Sequence, residues 1–152
     1  MVIAVGSDHA GFHLKEHVKT VLVAAGHVVL DVGTETPESV DYPTYAEQAA
    51  RLVSDGEAQR AILACGSGVG VAIVANKIPG VRAVNAHDPT EVEMARRHND
   101  ANTVTLSGVR LAPDEADAIV ERFLRTGFEG GRHARRVGQI AELDGSCGVR
   151  AG

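Results

Sequence analysis

Cys65 closes an apolar run, Ala61-Ile62-Leu63-Ala64, and opens a loop with three glycines, Gly66-Ser67-Gly68-Val69-Gly70. An apolar segment of helical character, Val71 to Ala75, follows. This is the pattern of a strand, a tight turn and a helix start. Backbone N–H groups at such a turn converge and favour negative charge. A thiol beside them is placed where a thiolate is favoured, and a thiolate can act as a base or a nucleophile. Three other groups carry residue types with chemistry. Asp8-His9 follows the apolar run Val2 to Gly6 and reads as an acid/base pair or as a helix N-cap. His98-Asn99-Asp100 follows a helical stretch containing Arg96 and Arg97, where a cation at the helix C-terminus suits the dipole. In Gly130-Gly131-Arg132-His133-Ala134-Arg135-Arg136, Arg132 and Arg136 are spaced i, i+4 and share one helix face. Guanidinium groups at a helix start oppose its dipole unless an anion lies between them. His13, His17 and His27 show no such grouping and are expected in solvent.

Several phosphate-binding patterns fail on the glycine loop. A P-loop requires GxxxxGK followed by Ser or Thr, but the residue five after Gly66 is Val71. The dinucleotide pattern GxGxxG fails twice, at Val71 and at Ile73. A cysteine phosphatase places an arginine six residues beyond its cysteine, where this chain again has Val71. Two local readings stay open: a functional cradle of amides, or a strand-to-helix turn that uses glycine for its dihedral angles. Cys65 is open in the same way, because free cysteines are commonly buried and inert.

Composition narrows the setting. The chain has 152 residues, 44% of them hydrophobic, which suits one domain with its own core. The net charge is −5 and aromatic residues make up 3%, which disfavours nucleic acid as a partner. No apolar run reaches the ~20 residues of a membrane span. The start of the chain lacks a signal-peptide pattern and reads as the first strand of a cytoplasmic protein. Two cysteines, Cys65 and Cys147, make no disulfide framework and no metal-ligand pair.

The elements that must position these groups alternate. Strands are predicted at Val2 to Gly6, His27 to Val32, Ala61 to Ala64, Val81 to Ala86 and Thr103 to Leu106. Helices are predicted through Leu14–Ala25, Tyr45–Val53, Gly70–Lys77, Val92–Ala95, Ala116–Leu124, and from near Gly131 through Ala141. Thr34 to Pro43 reads as a loop. Strand–helix alternation implies a parallel sheet covered on both faces, a single-domain α/β/α sandwich. Ligands then bind beyond the carboxyl ends of the strands, where Asp8, His9, Cys65 to Gly70, His87, Asp88, Gly108 and Arg110 fall. The domain is expected to span 1–143, with 144–152 as a tail without regular structure.

Taken together, these segments resemble the ribose-5-phosphate isomerase type B family, which also holds galactose-6-phosphate and allose-6-phosphate isomerases. The matching pieces are Gly6 to Phe12, Asp41-Tyr42-Pro43, Cys65 to Gly70, Ala75-Asn76-Lys77, Arg96 to Asn99 and Glu129 to His133. The resemblance implies an aldose–ketose isomerase with a Rossmann-like sheet of five parallel strands in the order 2-1-3-5-4. It implies a sugar phosphate as ligand, a homodimer or dimer of dimers with shared active sites, and no metal or organic cofactor. It assigns Cys65 as the base moving a proton between C1 and C2, His98 as the ring-opening group, and Asp8 beside that chemistry. Ser67 handles protons on O1 and O2. The amides of Gly66, Gly68, Val69 and Gly70 face the enediolate, with Asn99 nearby and Tyr42 in the substrate-binding set. His9, Arg132 and Arg136 clamp the phosphate, with Arg110 as a further contributor.

A branch of the family with a later glutamate in place of the cysteine is excluded, because Val71 stands at that position. Asn85 and His87 depart from the family's smaller, more apolar residues and are expected to bear on the sugar end of the pocket. Ribose 5-phosphate is the expected substrate. Allose 6-phosphate, galactose 6-phosphate or free sugars are alternatives, as is a non-catalytic sugar-phosphate-binding subunit.

Overall fold

The computed structural model describes residues 1–146. Five parallel strands form one sheet in the order β2-β1-β3-β5-β4. They are β1 (Val2–Ser7), β2 (Val28–Asp31), β3 (Arg60–Cys65), β4 (Ala83–Asn85) and β5 (Thr103–Ser107). The helices are α1 (Phe12–Ala24), α2 (Tyr42–Ser54), α3 (Val69–Ala75), α4 (Pro89–Asn99), α5 (Pro113–Arg125) and α6 (Arg132–Ser146). This is the expected α/β/α sandwich and strand order.

Side chains alternate across the sheet, and the two faces differ in size. Ile3, Val5, Ile62, Ala64, Val104 and Leu106 meet Leu14 and Val18 of α1, Val92 of α4 and Ile119 and Phe123 of α5. The opposite face offers Ala4, Ala61, Leu63 and Cys65 to the small residues Ala46, Ala49 and Ala50 of α2 and to Val71 and Ala75 of α3. Small residues on both sides bring α2 and α3 close to the sheet, and Cys65 belongs to that face. Phe123 is fully buried on the larger face. Phe123→Ala is expected to cost about 3–5 kcal/mol, because the cavity adds to the lost transfer energy. Urea unfolding of the purified variant measures this.

Several boundaries differ from the sequence reading. α2 begins at Tyr42, so Tyr42 and Pro43 are helical rather than in a loop. Proline is well suited to a first helical turn, where its missing N–H has no partner to lose. β4 covers three residues rather than the six of Val81 to Ala86, because the chain before it is held otherwise. The Val81 N–H donates to the Ile78 carbonyl, and the Arg82 N–H to the Asn102 side chain. α6 continues through Ser146, so Asp144 is helical rather than part of a tail. Its carboxylate accepts from the Gly80 N–H at 2.7 Å and ties this last turn to the body. The remainder of the expected tail, residues 147–152 with Cys147, lies outside the described residues. His17 is paired rather than solvated, with Nε2 2.8 Å from Asp117. Among the described residues no helix is long and apolar enough to cross a membrane.

Candidate active site

The glycine loop leaves the carboxyl end of β3 and enters α3. The Gly68 N–H donates to Cys65 Sγ at 3.1 Å, and the Val69 N–H donates to Ser67 Oγ at 3.1 Å. The loop therefore turns back on the two side chains that carry its chemistry. Gly68 caps α3 in the left-handed region, φ 78°, which glycine adopts without strain. A Cβ there would also lie 2.4 Å from Asn85 Oδ1. At Gly70 the constraint is space: a Cβ would lie 2.6 Å from Tyr42 Cζ. Tyr42, on the first turn of α2, thus packs its ring against the start of α3. Cys65 is 4% exposed, while Ser67 is open to solvent.

The turn after β1 lies alongside. The buried Asp8 carboxylate accepts from the Gly11 N–H at 3.0 Å, closing the Asp8–Gly11 turn. Asp8 thus braces the turn ahead of α1 and is not its N-cap, which is Gly11. His9 Nδ1 accepts from the Val40 N–H at 3.2 Å. That bond places the imidazole proton of neutral His9 on Nε2, where it can be donated to an anion. The Gly108 N–H donates to the Cys65 carbonyl, joining the turn after β5 to the same edge. In that turn the Arg110 N–H donates to Ser107 Oγ at 3.1 Å.

The other predicted residues lie elsewhere. α4 starts beyond the carboxyl end of β4, capped by Asp88, which accepts from the Thr90 and Glu91 N–H groups. It runs back along the sheet and delivers His98 and Asn99 to the amino edge. There Arg82, just before β4, donates to the carbonyls of Asn99 and Asp100. The Asn102 carbonyl receives the Ala61 N–H at the start of β3. The His98 ring stacks on His133 of α6, with centroids 4.3 Å apart and planes 7° from parallel. Arg132 and Arg136 are exposed on the same helix. The structure thus brings Asp8, His9, Tyr42, Cys65 to Gly70 and Arg110 to one edge of the sheet. It brings His98, Asn99, Arg132 and Arg136 to the other. β3 has six residues, and a strand of that length separates the edges by roughly 17–20 Å.

Glu129 and His133 join the second group without having been assigned a role from sequence. Glu129 lies 3.8 Å from His98 Nε2 and 3.6 Å from His133 Nε2. Arg97 Nε donates to its carboxylate at 2.6 Å. The hydrogen bond from Arg97 holds the Glu129 carboxyl below its ordinary range. Burial, reinforced by His98 and Arg132, lowers His133. His98, Glu129 and His133 offer ligand atoms within 4.8 Å of one another. Two nearly parallel rings, however, leave no point lying in both ring planes, where a shared metal ion would need to sit. Arg97 also occupies the carboxylate. The group is built as a charge network around His98. Its sequence signals were the segment Glu129 to His133, which matches the family without a role assigned to either residue, and the adjacency of His133 to Arg132.

Asn85 and His87 engage different partners within the protein. The His87 N–H and Nδ1 both face Glu91 Oε2, at 2.7 and 3.2 Å. Asn85 turns to the back of the glycine loop, where its Nδ2 donates to the Ser67 carbonyl at 3.4 Å.

A parallel sheet in this order, with a cysteine and a glycine loop at its carboxyl edge, defines an open α/β domain whose candidate chemistry lies beyond the strand ends, where ligands bind in such sheets. The chain belongs to the ribose/galactose isomerase family, whose model matches residues 3–140. It is 42% identical to ribose-5-phosphate isomerase B of Escherichia coli K12, over 93% of this chain and 95% of that protein. Its fold is similar to Clostridium thermocellum ribose-5-phosphate isomerase B, with a TM-score of 0.95 and 43% identity, covering 97% of this chain and 99% of the other. It is likewise similar to the Mycoplasma genitalium ribose-5-phosphate isomerase B with bound ribulose 5-phosphate. That TM-score is 0.90 at 35% identity, covering 95% of this chain and 96% of the other.

Proposed function

We propose that this protein interconverts D-ribose 5-phosphate and D-ribulose 5-phosphate through a cis-enediolate, with Cys65 as the base. The observation that carries the reading is the Gly68 N–H donated to Cys65 Sγ at the head of the glycine loop. This bond fixes the sulfur at the head of the loop, beside the amides that would face an oxyanion. In the aldose-to-ketose direction the thiolate takes the proton from C2 and returns it to C1. The O2 proton moves to O1, and the Ser67 hydroxyl serves as the relay. The developing oxyanion faces the Gly66–Gly70 loop, whose Gly68 and Val69 amides are held on Cys65 and Ser67 and so keep the loop oriented before reaction. His98 opens the furanose ring by moving a proton at the ring oxygen, with Asn99 beside the same charge. His9, Arg110, Arg132 and Arg136 hold the phosphate, which orients the carbons against the base.

A pentose phosphate is much shorter than the separation between the two sheet edges, so one copy cannot supply both halves of this set. The reading therefore includes a homodimer, with Cys65 of one copy and His98, Arg132 and Arg136 of the other completing each site. What supports it, besides that separation, is apolar surface at the carboxyl edge. Val69 and Ile73 share one face of α3 and are about half exposed, and Val109 is 78% exposed. A second copy is the partner of matching chemistry, and two such dimers pairing is compatible with it. We place the protein in the cytoplasm with its substrate.

The test is a coupled isomerase assay that ranks kcat/KM over ribose 5-phosphate, allose 6-phosphate and galactose 6-phosphate. Ribose 5-phosphate is expected to lead, and a clear preference for a hexose phosphate would overturn the named substrate. Arg132→Ala or Arg136→Ala is expected to raise KM about 10- to 100-fold with little change in kcat. Losing one charge-assisted contact costs on the order of 1.5–3 kcal/mol of binding shared by ground and transition states. An unchanged KM would remove that arginine from the phosphate site.

A further inference from the structure

Three successive carbonyls of the glycine loop are held from behind by side chains of the neighbouring strands. Ser107 Oγ donates to the Gly66 carbonyl at 2.6 Å, Asn85 Nδ2 to the Ser67 carbonyl at 3.4 Å, and Thr105 Oγ1 to the Gly68 carbonyl at 2.8 Å. Thr105 Oγ1 also lies 3.3 Å from Asn85 Oδ1, so the second and third holders touch each other. Thr105 and Ser107 are buried on β5, and Asn85 ends β4.

A peptide group joins the carbonyl of one residue to the N–H of the next in one rigid plane. The peptide that Asn85 holds by its Ser67 carbonyl is therefore the one whose Gly68 N–H grips Cys65 Sγ. The peptide that Thr105 holds by its Gly68 carbonyl is the one whose Val69 N–H grips Ser67 Oγ. Each side chain assigned to proton transfer is thus bonded to the front of a plane whose back is tied to β4 or β5. A donor on the carbonyl also polarises the N–H at the other end of the same plane and strengthens the bond it makes.

We infer that Asn85 and Thr105 are positioning residues for the isomerisation: Asn85 acts on Cys65 through the Ser67–Gly68 peptide, and Thr105 acts on Ser67 through the Gly68–Val69 peptide. The inference rests on the reading of Cys65 and Ser67 given above. It also changes the sense of Asn85, which acts on the base from behind the loop rather than on the sugar from in front. Without these two donors the loop retains its left-handed cap at Gly68, the Ala72 N–H on the Gly68 carbonyl at 3.3 Å and the close approach of Gly68 to the Leu106 backbone, but among the described residues no side chain of β4 or β5 donates to the Ser67 or Gly68 carbonyl.

The experiment compares Asn85→Ala, Thr105→Val and Thr105→Ser with the unaltered protein and with Cys65→Ser. Thr105→Val keeps the shape and removes the hydroxyl; Thr105→Ser restores it. Steady-state kinetics on ribose 5-phosphate are expected to show kcat lower by about tenfold in Asn85→Ala and Thr105→Val, with KM within about twofold. Thr105→Ser is expected to recover most of kcat. Thiolate formation at Cys65 is read from ultraviolet absorbance against pH, with Cys65→Ser subtracted. Its midpoint is expected to move to higher pH in Asn85→Ala and to stay in place in Thr105→Val. Thermal unfolding of each variant identifies any general loss of structure.

An unchanged kcat in Asn85→Ala and Thr105→Val would overturn the inference, as would an Asn85→Ala midpoint that does not move. A loss of kcat that Thr105→Ser fails to restore would overturn the part assigned to Thr105. If the unaltered protein lacks isomerase activity, or Cys65→Ser retains it in full, the functional reading itself fails, and the two failures are told apart.

Discussion

Cys65→Ser is expected to lower kcat on ribose 5-phosphate by about a thousandfold, within the range that loss of a positioned base produces. Serine has nearly the same size, and the site is buried among Leu63, Val71 and the alanines of α2. The substitution should therefore leave the fold and the phosphate contacts in place. What changes is the group that receives the Gly68 N–H. A hydroxyl yields its proton far less readily than a thiol, so few molecules carry an anion there at neutral pH. KM should stay close to its original value, because the phosphate holds the substrate without help from the base. Substrate deuterated at C2 gives a second readout: exchange of the label into water should fall in step with kcat. A variant within tenfold of the original protein would remove Cys65 from the role of base.

Mixing two inactive variants is expected to restore activity. Cys65→Ala damages the carboxyl edge of the sheet and His98→Ala damages the amino edge. In the proposed dimer each site takes one edge from each copy. A mixed dimer then has one site carrying both lesions and one carrying neither. Refolding the two variants together in equal amounts makes about half the dimers mixed, so about a quarter of the original specific activity should return. The original protein, refolded in the same way, sets the scale. No recovery, with mixed dimers shown to form, would place both residues of a site in one copy and contradict the separation of roughly 17–20 Å that six residues of strand impose.

The alternation of strands and helices was legible because β1, β3 and β5 are short buried runs, the outer strands β2 and β4 are short apolar runs only partly buried, and helical apolar spacing separates them. All five strands and their order match what the sequence and its family resemblance imply. The start of α2 was missed because Pro43 signals a break in most settings, whereas at a helix's first turn it signals a beginning. The polar residues of the carboxyl edge were legible because strand ends recur at predictable places in such a sheet. The placement of His98 was less direct. It ends a helix rather than a strand, and a helix returning across a parallel sheet ends at the opposite edge.

The contacts that Thr105 and Ser107 make with the glycine loop were not legible at all. In Thr103-Val104-Thr105-Leu106-Ser107 the hydroxyls look like tolerated polar groups in a buried strand. Their partners are carbonyls some forty residues away, brought near only by the pairing of β5 with β3, where Cys65 lies beside Ser107. Nothing local in the sequence encodes that distance.

The proposed division of the chemistry between opposite ends of the sheet also bears on inheritance. In a cell making two versions of this chain, a defect at one edge alone would spoil one of the two sites in each mixed form of the proposed dimer. A chain defective at both edges brings one lesion to each site and silences the mixed dimer entirely. With random pairing, one single defect beside a healthy copy leaves half of the sites intact, whereas two single defects on different copies, or both defects on one copy beside a healthy one, each leave a quarter.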